Sequence, residues 1–143
     1  MKTHKTKAGT EIPISNIQGK DYLEVKYRIL WFREEHQDWG IETTVKIEGN
    51  GCLACAVIRD ATGRVIATGH KEETVDGFPD YIEKAETGAI GRALALCGYG
   101  TQFTSDMDEG ERIVDAPVEP KKSTRQKAHN GAINVPVKEG EFF

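Results

Sequence analysis

Residues 41–59 read IETTVKIEGNGCLACAVIR, and this stretch decides the fold. From Ile41 to Glu48, apolar or β-branched residues alternate with polar ones, which is typical of a strand with one face in solvent. Gly49-Asn50-Gly51 predicts a tight hairpin turn. The following segment, Cys52 to Arg59, is apolar on both faces, as a central strand is. The stretch therefore predicts an antiparallel hairpin.

A third strand and two helices are predicted around this hairpin. Asp60-Ala-Thr-Gly63 predicts a second turn, and residues 64–73 predict the next strand. Upstream, the capping pair Asp21 and Glu24 opens a helix that ends near His36. The order helix, three strands, helix predicts an α+β fold in which a three-stranded antiparallel β-meander is flanked by two helices.

The second helix is predicted over residues 80–97, where alanines recur on its apolar face. Gly88 and Gly91 each destabilise a helix by about 1 kcal/mol relative to Ala. Their presence predicts that this helix lies close to another backbone. Gly98 and Gly100 supply the C-terminal stop.

The chain is predicted to contain three parts. Residues 1–20 are polar and punctuated by glycine and proline, which favours a flexible arm to which Ile12, Ile14 and Ile17 can add a short edge strand. Residues 21–106 form the α+β domain. Residues 107–143 lose hydrophobic periodicity and predict a disordered tail.

Composition excludes several classes of protein. The chain has 143 residues, 38% of them hydrophobic, and a net charge of −4. We find no apolar run of the roughly 20 residues that a membrane helix needs. The basic N-terminus leads into a polar segment, which argues against a secretory signal. The odd count of three cysteines, each in an apolar run, favours packed thiols in a reducing compartment such as the cytoplasm.

The sequence contains no clear catalytic or metal-binding motif. Cys52 and Cys55 have the spacing of half a zinc knuckle, but side chains three positions apart on a strand point to opposite faces. The sequence offers no arrangement of Ser, His and Asp and no phosphate-binding glycine loop. We therefore expect no metal or cofactor, and we expect that the protein is not an enzyme.

Residues 83–100 read EKAETGAIGRALALCGYG. This segment resembles the helix of the Rad-fifty-two-type single-strand annealing proteins, in which a Glu-Lys-Ala start leads to an Arg-Ala-Leu core and a break of glycine and aromatic residues. Upstream, Trp39 after a helix, the hairpin, the Asp60–Gly63 turn and Thr68-Gly69-His70 follow the same order. About 79 residues, 22–100, resemble that family, and the sequence is similar to its small phage members.

The resemblance implies a function. Such proteins form homo-oligomeric rings or filaments that hold single-stranded DNA in a basic groove, with the bases exposed to a complementary strand. It implies binding and annealing of single-stranded DNA in phage recombination and repair. The expected partners are single-stranded DNA, further copies of the chain, and a phage exonuclease or replication protein, in the host cytoplasm and without a membrane.

Five basic residues are candidate DNA contacts. Arg92 matches the arginine of the family's helix motif and has no carboxylate four residues away on either side. Lys84 is a further candidate, although Asp80 four residues earlier offers an ordinary surface pair. The remaining three candidates are Lys46, Arg64 and Lys71. For each of them, the alternative is an ordinary position exposed to solvent without a role in binding.

The sequence departs from the family beside its arginine. Related helices often carry basic residues where this chain has Gly91 and Ala95. Either the groove is less basic, or the lysines of the arm and tail supply the missing charge.

Aromatic residues supply two further candidate sites. Phe78, in a loop beside Gly77 and Pro79, is a candidate for base stacking or subunit contact, whereas Trp31 and Trp39 are expected in the core. The terminal Phe142 and Phe143 follow two glutamates and resemble the partner-recruiting tip of single-stranded DNA-binding proteins. A plain disordered end is the alternative.

The sequence is also compatible with two other functions. One is a protein that protects single-stranded DNA and recruits partners through the Phe142–Phe143 tip. The other is a protein-interaction or inhibitor module without nucleic acid, which the balance of 13 basic and 18 acidic residues over residues 1–110 favours.

Overall fold

The computed structural model describes residues 1–103, and these form an α+β fold with two helices and antiparallel sheets. This confirms the predicted α+β class with two helices and antiparallel strands. The predicted tail, 107–143, lies outside the described residues. The elements are β1 (Thr3–Lys5), β2 (Glu11–Pro13), β3 (Ser15–Ile17), β4 (Lys20–Tyr22), α1 (Val25–Glu35), β5 (Gly40–Glu48), β6 (Gly51–Arg59), β7 (Val65–Thr74) and α2 (Tyr81–Leu96).

The largest sheet has the strand order β5-β6-β7, with both neighbouring pairs antiparallel. The β5–β6 hairpin closes at the pair Glu48–Gly51, and Gly49 takes a positive φ of 58° in the two-residue turn. A residue without a Cβ adopts this conformation at low cost, which explains the glycine in the turn. The pairing of β6 with β7 shifts register between Ile58 and Arg59.

The N-terminal segment differs from the expected flexible arm. Strands β1 and β2 form one hairpin and β3 and β4 form another, so the molecule has two small sheets besides the large one. Ile12 and Ile14 are buried in the common core. Strands of three residues are too short to produce a recognisable alternation, and burial against α1 residues such as Trp31 stabilises them.

Helix α2 packs on β6 and β7 through very small side chains. The contacting alanines are fully or almost fully buried, and they are Ala54 and Ala56 on β6, Ala67 on β7, and Ala85, Ala89 and Ala93 on α2. The predicted close approach to another backbone occurs at Gly69 of β7, where a Cβ would lie 2.4 Å from the carbonyl oxygen of Ala89. Gly88 faces a side chain of the same strand instead, that of Lys71.

Arg28 joins the two helices. It is 1% exposed, its Nε donates to the carbonyl oxygen of Leu23 at 2.8 Å, and its Nη1 donates to that of Gly91 at 3.0 Å. A buried guanidinium is tolerated because its N–H groups are hydrogen-bonded. Arg28 is therefore a structural residue.

An aromatic cluster closes the end of the core where α1 meets the residues that follow α2. Trp31 and Phe32 each contact Tyr99 edge to face, with ring centroids 5.0 and 5.6 Å apart. The Tyr99 hydroxyl donates to Oε2 of Glu35 at 2.6 Å. Burial, followed by this carboxylate, raises the pKa of Tyr99 above its ordinary value. Trp31 lies in the core, as predicted.

Candidate nucleic-acid interface

Basic side chains gather where α2 crosses the edge strand β7. Gly69 and Lys71 lie two residues apart on one face of β7, and Gly88 and Arg92 lie four residues apart on one face of α2. A Cβ at Gly88 would lie 2.7 Å from Cγ of Lys71, and a Cβ at Gly69 would lie 3.1 Å from Cβ of Arg92. Lys71 therefore crosses α2 at Gly88, and Arg92 lies over the strand at Gly69.

Lys84 occupies the next position on the same helix face, one turn before Gly88. It is 8% exposed, and its Nζ lies 5.9 Å from the ring centroid of Phe78. This placement differs from the expected exposed pair with Asp80. We call the strip formed by Gly69, Lys71, Lys84, Gly88 and Arg92 the α2–β7 seam.

The electrostatics of the seam are only moderately positive. Nζ of Lys71 lies 3.8 Å from Oε1 of Glu73, and the two side chains are 19% and 10% exposed. Arg92 is half-buried, so its stem is fixed between strand and helix while part of it reaches solvent. The seam is thus a line of three cations with one carboxylate beside it.

The other two predicted contacts lie away from the seam. Arg64 is exposed in the β6–β7 turn, where its backbone N–H donates to Oδ1 of Asp60 at 3.0 Å. Lys46 lies on the sheet face opposite α2, with its Nζ 3.1 Å from Oε1 of Glu48. The five predicted residues therefore divide into a group of three on the seam and two separate surface positions.

Arg59 is a surface cation that the sequence analysis did not select. It lies at the end of β6 on the face opposite α2, where its Nε is 3.5 Å from Oε2 of Glu42 and its Nη1 donates to the carbonyl of Gly63. The one signal available in the sequence was an arginine that ends an apolar strand just before a turn.

The structure places Phe78 in the core and not at the surface, where it was expected. It was predicted to stack on bases or contact another subunit, but it is 1% exposed and packs beneath the Lys84 ammonium. The loop brings its ring inward because burial of an aromatic side chain outweighs the cost of ordering a short loop. The predicted tip, Phe142 and Phe143, lies outside the described residues.

The cysteines lie on opposite sheet faces, as their spacing predicted. Cys52 is buried on the α2 side, where burial raises the pKa of its thiol, and Cys55 is half-buried on the other face. Within residues 1–103 no group of three or more His, Cys, Asp and Glu side chains is placed to hold a metal ion.

Comparison with known protein families gives a match. Residues 29–97 match a family model described as Slr1353 N-terminal dsRNA-binding domain-like. The matched range contains most of α1, the whole β5-β6-β7 sheet and all of α2, so it includes every residue of the seam. Searches of curated proteins and of solved structures found no match. In the described part of the chain, neither helix has the length and apolarity to cross a membrane.

Proposed function

We propose that this chain binds nucleic acid along the α2–β7 seam and, more specifically, that it binds single-stranded DNA and anneals complementary strands. The observation that carries the proposal is the alignment of Lys71, Lys84 and Arg92 on one strip. That strip lies inside the range that matches a dsRNA-binding-domain-like family.

The geometry of the seam suits a phosphate backbone. Lys84, Gly88 and Arg92 are spaced by four residues, about 6 Å along a helix at 1.5 Å per residue. Lys71 adds its charge at the middle of this line, beside Gly88. The half-buried Lys71 and Arg92 can contact phosphates without reading base edges, and the buried Lys84 adds positive charge to the strip. The expected affinity therefore depends on salt and not on sequence.

The surroundings of the seam favour annealing over protection. Phe78, the aromatic residue that the sequence offered for stacking, is buried beneath Lys84. The seam therefore contacts a nucleic-acid strand through cations that bind its phosphates. A strand held by its phosphates keeps its bases free to pair with a complementary strand, whereas stacking platforms occupy the bases.

The remaining parts of the proposal follow from the resemblance to the annealing family. The activity is one of binding and pairing, so it needs no catalytic group and no cofactor. We further propose that the protein acts as a homo-oligomer, ring or filament, during phage recombination and repair in the host cytoplasm. A phage exonuclease or replication protein would be its further partner.

A second candidate is binding of double-stranded RNA, which the description of the matching family favours. Domains of that kind contact phosphates and 2′-hydroxyls across the minor groove and recognise helix shape. The two candidates differ in the strand form that binds best, which a competition experiment measures directly.

The first experiment measures anisotropy of a fluorescent 40-nucleotide single strand over a salt series. Arg92→Gln and Lys71→Gln keep the side-chain stems that pack in the seam and remove only the charge. Each is expected to weaken binding and to reduce the salt slope by about 0.7, the contribution of one phosphate contact on a single strand. Lys26→Gln is the matched control, because Lys26 is an exposed cation on α1, and it is expected to bind as the wild type does.

Competition and pairing assays separate the candidates. Unlabelled single-stranded DNA should displace the probe better than duplex RNA of the same length, and the reverse order would favour the double-stranded RNA candidate. The protein should accelerate pairing of two complementary strands, whereas a purely protective protein slows it. Absence of binding to any nucleic acid at low salt would overturn the proposal and leave a protein-interaction module.

A further inference from the structure

Strand β5 has an edge and an apolar face that the described part of the chain leaves uncovered. It pairs with β6 on one side, and within residues 1–103 no strand pairs with its other side. Val45 and Ile47 point to the α2 side of the sheet, yet they are 37% and 52% exposed because α2 lies mainly over β6 and β7. An exposed edge of nine residues with apolar side chains beside it is a template for pairing with another strand.

Two of the three charged residues of β5 are placed symmetrically about the middle of the strand. Thr44 is the central residue of Gly40–Glu48, with Glu42 two positions before it and Lys46 two positions after it. All three lie on the face opposite α2, and the Glu42 and Lys46 side chains are 62% and 57% exposed. An antiparallel copy of this strand centred on Thr44 carries the opposite charge at each of these two positions.

We propose that β5 is the contact surface for a second copy of this chain, paired antiparallel with Thr44 opposite Thr44. In this register all nine residues overlap, and Glu42 of each copy lies opposite Lys46 of the other. On the α2 side, Ile47 of each copy lies opposite Ile41 of the other, which covers the exposed apolar side chains. The result is a continuous six-stranded sheet about a two-fold axis.

Other registers are less favourable for identifiable reasons. A slip of one residue sets the charged face of one copy against the apolar face of the other. A slip of two residues in one direction sets Glu42 opposite Thr44 and loses both charge pairs. A slip of two residues in the other direction sets Glu48 opposite Glu42 and creates two like-charge pairs. Longer slips set Lys46 opposite Lys46 or Glu42 opposite Glu42 and shorten the overlap. Charge complementarity and full overlap therefore select the same register.

The two-fold contact is isologous and closed, so it uses β5 of both copies and leaves both β7 edges free. The α2–β7 seams then lie at the two outer ends of the joined sheet. The inference rests on β5 alone and does not depend on nucleic-acid binding.

Sedimentation velocity of the full chain over a range of protein concentrations tests the contact. Glu42→Lys and Lys46→Glu each set like charges opposite one another twice, and each is expected to raise the dimer dissociation constant about tenfold or more. The double variant Glu42→Lys with Lys46→Glu restores opposite charges and should return the constant close to that of the wild type. Glu72→Lys, on the same face of the other edge strand, is the matched control and should leave it unchanged.

Cross-linking tests the register itself. Thr44→Cys is made in a Cys55→Ser background, because Cys55 lies opposite Thr44 within one chain. Mild oxidation should then give a covalent dimer, and Thr68→Cys on β7 in the same background should not. A wild type that is monomeric at every concentration, charge variants that dimerise like the wild type, or a double variant no better than the single ones would each overturn the inference.

Discussion

Replacement of Gly69 by alanine tests the packing of α2 on the sheet. The added Cβ would lie 2.4 Å from the carbonyl oxygen of Ala89 and 2.7 Å from the backbone nitrogen of Ala93. Both atoms belong to the helix backbone, so no side-chain rotation relieves the contact. The helix and the strand must instead separate.

The size of the effect follows from these distances. Cβ atoms essentially never approach another heavy atom closer than 3.0 Å, so the gap of 2.4 Å must widen by at least 0.6 Å. That movement loosens the alanine contacts between α2 and the two strands beneath it. Overpacking of this kind destabilises by about 1–3 kcal/mol, and we expect the upper half of the range because backbone moves. In a domain of about 100 residues, a loss of 2 kcal/mol lowers Tm by roughly 8–16 °C.

Urea unfolding followed by far-UV circular dichroism gives the free energy of unfolding for both proteins. Gly40→Ala is the matched control, since Gly40 also lies in a strand but has no atom within 4 Å of the added Cβ. We expect this control to stay within about 1 kcal/mol of the wild type or to gain slightly from a stiffer unfolded chain. A Gly69→Ala protein as stable as Gly40→Ala would refute the close approach of α2 to β7.

Three other substitutions test the core and its titrating groups. Arg28→Leu removes the hydrogen bonds that Arg28 donates to the Leu23 and Gly91 carbonyls and should lower the free energy of unfolding by about 3 kcal/mol in the same urea assay. Wild-type stability would contradict its buried role. The raised pKa of Tyr99 contributes stability that is complete below about pH 10 and is lost as the pH rises further, so Tm should fall less steeply above pH 10 in Tyr99→Phe than in the wild type. Equal slopes in a calorimetric pH series would contradict that assignment. Phe78→Ala should cost about 3–5 kcal/mol of stability and leave the salt slope of DNA binding unchanged, whereas a changed slope in a folded variant would return Phe78 to the binding site.

Local patterns in the sequence were sufficient for the elements of the large sheet and for α2. The alternation over Ile41–Glu48 and the turn at Gly49 specify a hairpin because side-chain direction has a period of two in a strand. The alanine face of α2 specified which side of the helix is buried. Cys52 and Cys55 were assigned to opposite faces by the same period of two, without any knowledge of the neighbouring elements.

The N-terminal hairpins were not predictable in this way. Their strands have three residues each, and isolated two-stranded hairpins are marginal in water. They persist because Ile12 and Ile14 are buried against the rest of the core and because the His4 ring contacts Trp31. Such contacts join residues far apart in the chain, and no local pattern records them.

For the candidate site, the sequence determined the types of residue and the tertiary structure decided which of them lie together. Arg92, Lys84 and Lys71 were selected as cations, but only the crossing of α2 over β7 places them on one strip and buries Lys84 above Phe78. Arg64 and Lys46, selected on the same grounds, lie elsewhere. The physical reason is that hydrophobic periodicity fixes the buried face of each element, whereas the neighbours of its polar side chains depend on how the elements pack. Gly69 and Gly88 set that packing here, because the missing Cβ atoms let the helix lie against the strand.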